Sequence, residues 1–193
     1  MSTPATVSIV ENGKVRTIYN HWDGYPSNLG AMLFENYNHI PKIKSLINNG
    51  GASYIDKRVE PSKNSGHNFN DPEKEVCVFY HRDRGDDLEV YEHDTVVKML
   101  NEIGQSHNYI FQDGKWYYCH EYNLFNCTLI PLDVAIKNDN DEWHPPPLQV
   151  VVSLTNNPNG ITTGYSFFYI RNHFEMDLQG FCFNHHSYQS QLK

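Results

Sequence analysis

The segment His21-Trp22-Asp23-Gly24-Tyr25-Pro26 gathers more chemically able side chains than any other stretch of the 193-residue chain. A histidine and a carboxylate two positions apart are suited to binding a metal or passing a proton. Trp22 and Tyr25 could clamp a flat ring. The same residues also make a turn: Asp23-Gly24 bends the chain, Pro26 leads into a helix, and the aromatics can plug the core beneath it. A second segment, His81-Arg82-Asp83-Arg84-Gly85, places two guanidinium groups around one carboxylate. Forked hydrogen bonds from Arg82 and Arg84 would suit a phosphate or carboxylate ligand. Equally, Asp83 can pair with one of the arginines in a surface ion network worth little energy. Were the two segments to leave one sheet edge together, Trp22, Tyr25, Arg82 and Arg84 would line a shared polar cleft.

Other potential ligands are scattered. His185-His186 could join His144 or His173 around a metal, but eleven histidines make chance clusters common, and no HExxH pattern is present. Cys77, Cys119, Cys127 and Cys182 form no CxxC pair and lack zinc-finger spacing, so they read as small buried hydrophobes. Glycine-rich phosphate loops and a GxSxG elbow are also missing. No cofactor is expected.

The elements that must position these residues are read from turns and periodicity. Residues 6–20 alternate around Asn12-Gly13 and predict a β-hairpin. Ser27 or Asn28 is expected to cap a helix with Leu29, Met32, Leu33 and Tyr37 on its apolar face. Pro41 opens a second helix carrying Ile43, Leu46 and Ile47, which Asn49-Gly50 ends. Residues 57–75 read as a loop and 76–81 as a strand. Asp94 is expected to cap a helix with Val97, Leu100 and Ile103 inward. Asp113-Gly114 predicts a second hairpin carrying Tyr109, Phe111, Trp116 and Tyr118. After residue 120 the chain reads as a strand-rich extension, with the prolines 145–147 as a stiff connector. The expected class is α+β: a mixed or antiparallel sheet with two or three helices over 1–120, and a β-rich extension over 121–193.

Composition narrows the setting. Hydrophobic residues make up 39% of the chain, enough for a folded core without a disulfide framework. The net charge of −8 is spread evenly: residues 1–120 and 121–193 each contribute −4. That balance lacks the basic stripe that phosphate backbones require, and it argues against nucleic-acid binding. The N-terminus lacks a secretory pattern and no stretch approaches a membrane span, which predicts a cytoplasmic protein.

Three segments in order, IYNHWDGYPSNLGAMLFENYN, CVFYHRDRGDD and NYIFQDGKWYY, resemble a family of small uncharacterised proteins of tailed bacteriophages. The resemblance covers about residues 5–120. It implies an accessory gene product acting in the bacterial host cytoplasm, and it supplies no reaction or catalytic residues. On this reading the leading expectation is a non-enzymatic protein that binds and inhibits a host or antiviral-defence component, with the aromatic-rich extension over 121–193 as its binding face. The alternatives are a protein that binds or sequesters a nucleotide-like molecule through His21, Trp22, Asp23, Tyr25, Arg82, Asp83 and Arg84, and a small hydrolase using His21 and Asp23.

Overall fold

A computed structural model describes residues 2–120 and 128–140, and the backbone of three later strands, 151–154, 165–171 and 174–176. The chain divides into two compact units, Met1–Trp143 and His144–Lys193.

The first unit is α+β, built on an eight-stranded mixed sheet. Two hairpins form its centre. β1 (Ala5–Glu11) and β2 (Lys14–Asn20) join through Asn12 and Gly13 at φ 50° and 73°. These two positive dihedrals define the tight turn whose twist matches that of the flanking strands, so the Asn-Gly reading holds. After β3 (Ala52–Tyr54), β4 (Val78–Phe79) and β5 (Tyr91–His93) comes the second hairpin, β6 (His107–Gln112) and β7 (Lys115–His120). It turns at Asp113 and Gly114, φ 51° and 77°. β1 and β6 lie side by side in parallel, and β8 (Ile130–Pro131) extends the sheet from β7. On the other side β3 and β5 share the outer edge of β2, with β4 antiparallel to β3.

Alternation sends the strand side chains to two cores. One holds Val7, Ile9, Ile18, Tyr109, Phe111, Trp116 and Tyr118, the expected aromatic face of the second hairpin included. Helices α1 (Ala31–Asn36) and α2 (Ile40–Asn48) bury Leu33, Ile43, Leu46 and Ile47 in it, and α4 (Leu132–Asn140) adds Leu132 and Ala135. The other core packs Val15, Ile110 and Cys119 against Met99 and Leu100 of α3 (Val96–Ile103).

Several sequence expectations need correction. Residues 76–81 pair as a strand only at Val78–Phe79, because Tyr80–Arg84 winds into a single π-helical turn. The first helix also begins with a π turn, Pro26–Gly30, and neither Ser27 nor Asn28 caps it. The cap of α3 is Thr95, whose Oγ1 accepts the Lys98 N–H at 3.1 Å, while Asp94 faces Lys14 at 2.7 Å. Leu100 and Ile103 face the core as expected, but Val97 points outward (45% exposed) and Val96 and Met99 complete the inward face. Residues 132–140, expected within a strand-rich extension, are helical.

The second unit contributes β9 (Val151–Leu154), β10 (Tyr165–Arg171) and β11 (Phe174–Met176), antiparallel in the order β11-β10-β9. Cys127, Cys182, His144, His173, His185, His186 and the prolines 145–147 lie outside the described residues. Among the described residues, no helix is long and apolar enough to cross a membrane.

Candidate functional site

The two motifs leave the sheet in opposite directions. β2 and β3 run parallel, and the chain continues past β2 with His21 N–H on the Ala52 carbonyl (3.1 Å) and Trp22 N–H on that of Ser53 (3.0 Å). β4 is antiparallel to β3, so it delivers Tyr80 to the other end, where its N–H bonds the Gly51 carbonyl at 2.9 Å. Trp22 and Tyr25 therefore do not share a cleft with Arg82 and Arg84.

The HRDRG turn is a structural clasp. Arg82 holds Asp83 with Nε and Nη2 (2.6 and 2.8 Å), the Val59 carbonyl with Nη1 (2.6 Å) and the Cys77 carbonyl with Nη2 (2.7 Å). Asp83 Oδ2 also accepts the Phe79 N–H at 2.8 Å. The Glu73 N–H points at His67 Nδ1 (2.9 Å), which places the imidazole proton on Nε2. That nitrogen lies 3.2 Å from Asp83 Oδ2 and donates to it. The nearby Arg82 Nη2, at 3.0 Å, is itself a donor and can form no bond there. Burial would raise the Asp83 carboxyl, but Arg82, the Phe79 N–H and His67 outweigh it and hold it below the ordinary range. With both of its nitrogens engaged, the His67 ring has no free lone pair to take a proton from a substrate. The long 57–75 loop is thereby fastened to the sheet. Arg84 is engaged as well: it forks onto Asp86 and lies over the rings of Tyr80 and Phe69, 4.4 and 4.9 Å from their centroids.

Cys77 is likewise a packing group. Its Sγ lies 3.2 Å from Tyr37 Oη and accepts the Asp56 N–H at 3.3 Å, and burial pushes its thiol up, away from a reactive thiolate.

The HWDGYP loop is anchored from below and open above. Gly24 donates to the Thr3 carbonyl at 2.9 Å and accepts from Tyr109 Oη at 2.6 Å. A Cβ on Gly24 would stand 2.5 Å from the Thr3 carbonyl oxygen, so only glycine fits. Asn20 Nδ2 donates to the Trp22 carbonyl at 2.6 Å, and Asp23 takes the left-handed conformation (φ 58°), which Asp tolerates better than most residues. Ser27 N–H is received by Asp139 of α4 at 2.8 Å. His21 turns to Tyr19, with Nδ1 and Oη 2.9 Å apart, and makes no hydrogen bond to Asp23 among the described residues. Tyr25 lies with its ring against His107, the centroids 5.3 Å apart.

Trp22 (42% exposed) and Asp23 open instead onto a groove of about 440 Å³. Its other side is formed by Met32 and Glu35 of α1, by Tyr54 at the end of β3 and by Ile55 and Asp56 just beyond it. None of these five stood out in the sequence. Met32 was expected on a core face, and Glu35 sits three and four positions after Met32 and Ala31, a spacing that is visible only once the helix is given. Tyr54–Asp56 arrive through the β2–β3 crossover, which no local motif announces. The groove carries Asp23, Glu35 and Asp56 and is lined by neither Lys nor Arg. Among the described residues, no group of three or more His, Cys, Asp or Glu is placed to hold a metal. No family model, curated protein or solved structure matches the chain.

Proposed function

We propose that the protein is a non-enzymatic binding protein that engages a protein partner through the face built on the HWDGYP loop. In the phage setting suggested by the sequence resemblance, that partner is a host or antiviral-defence component, inhibited by the complex. The observation that carries the reading is Trp22, exposed on a rigidly anchored loop beside an open groove. Tryptophan and tyrosine on pre-ordered loops make effective interface anchors because little conformational freedom is lost when they are covered.

A nucleotide-like ligand is supported less well. Both guanidinium groups that would hold its phosphates are engaged within the protein, and the groove beside Trp22 bears carboxylates that repel anions. A hydrolase would need His21 and Asp23 in one relay, but His21 turns to Tyr19 while Asp23 lines the groove.

Affinity capture from bacterial cells, with Trp22→Ala and Tyr25→Ala run beside the parent, tests the reading. A single protein recovered in stoichiometric amount by the parent and lost by folded variants supports it. Equal recovery by all three overturns it.

A further inference from the structure

We infer that the groove receives an arginine or lysine side chain from an apolar-flanked segment of the partner protein, an assignment that rests on the binding-protein reading above. The apolar part is supplied by Leu29, Met32 and Ile55, and the exposed carboxylates of Asp23 and Glu35 stand beside it. Neither carboxylate has a hydrogen bond or ion pair among the described residues. Asp56 differs, since its Oδ1 accepts the Lys57 N–H at 2.7 Å. Lys57 makes its close ion pair with Glu75, at 2.7 Å, and reaches Asp56 and Glu35 only through longer-range attraction.

Water satisfies these carboxylates while the groove is open. A partner that covers the groove removes that water, and two unpaired charges would then be desolvated unless the incoming surface brings a cation. The Trp22 ring adds a face that attracts guanidinium or ammonium groups, and the methylene stem of either side chain suits the apolar part. Acidic segments would meet like charge, and neutral ones would leave both carboxylates without a counter-charge. Charge complementarity thus selects one class of occupant.

The test follows the Trp22 indole N–H by NMR, identified by its loss in Trp22→Phe, during titration with three hexapeptides. These share leucine and alanine flanks and carry Arg, Gln or Glu at the centre. The Arg peptide is expected to saturate, and Glu35→Gln and Asp23→Asn are each expected to weaken it about tenfold. Added salt should weaken the Arg peptide further. Equal binding of the Arg and Gln peptides would overturn the assignment. So would retention of the captured cellular partner by the Asp23→Asn/Glu35→Gln double variant, even if Trp22→Ala loses it, and the binding face would then stand with a different occupant. Should Trp22→Ala also retain the partner, the binding-face reading falls with it.

Discussion

His67 Nε2 lies 3.2 Å from Asp83 Oδ2, and the two side chains are only 2% and 3% exposed. This pair, with Arg82, joins a 19-residue polar loop (57–75) to the sheet edge by buried charge-assisted bonds, alongside the apolar packing of Val59 in the core. Removing one member leaves the others buried without a partner, which is more damaging than replacing the set together.

Asp83→Asn is therefore expected to destabilise the first unit by about 3 kcal/mol. Urea unfolding gives the magnitude. Limited proteolysis should show the first cut moving into residues 57–75. An unchanged cleavage pattern would deny the clasp its role.

Acid should act on the same region. Ser62 and Arg58 hold the Glu73 carboxyl down at about 2, and Asp83 is also held below its ordinary value. Carboxyls depressed on folding contribute stability that is present above their unfolded pKa values and lost as pH falls through the folded ones. The loss should run from about pH 4.5 down to about pH 2 for Glu73. Melting temperature measured across that window should fall less steeply in Glu73→Gln than in the parent.

Gly24→Ala should be disruptive although it adds a single methyl, because the methyl meets the backbone oxygen of Thr3. About 1–3 kcal/mol of destabilisation is expected. The Trp22 indole signal should shift with it, since Gly24 anchors the loop that presents Trp22. Trp22→Ala, on the exposed side, should change stability by only about 0.5 kcal/mol.

Thr95→Ala is expected to lower stability by about 1 kcal/mol through loss of the α3 cap. Asp94→Ala should leave it nearly unchanged, as its bond to Lys14 is exposed to solvent. Thermal unfolding of the two variants tests which residue starts the helix.

The contrast between those two residues shows what the sequence could convey. Asn12-Gly13 and Asp113-Gly114 were readable because a tight hairpin turn is decided by the residues that form it. α2 was readable for similar reasons, with proline at its start and glycine after its end. The one-residue error at α3 arose because Asp and Thr are both good caps, and packing of Met99 and Leu100 against Ile110 chose between them. α4 did carry a signal in the spacing of Leu132, Ala135 and Ile136, but the apolar run before it resembled a strand. HRDRG was legible as an ion network or an anion site, and the choice depended on His67, fourteen or more positions away on a loop without periodicity. The groove was least legible, since Trp22, Glu35 and Tyr54 come from three elements that meet only after the β2–β3 crossover is complete.

The parallel seam between β1 and β6 also sets the order in which the protein can assemble. Each hairpin is local and can close within microseconds, but Thr6 and Asn108, joined at 2.8 Å across the seam, are 102 positions apart. Bringing them together carries the entropy of closing almost the whole first unit, so this step is the slow one. During synthesis β1 must wait with one edge bare until β6 has left the ribosome. That interval, rather than any weakness of the finished sheet, is when the chain is most exposed to pairing with the wrong strand.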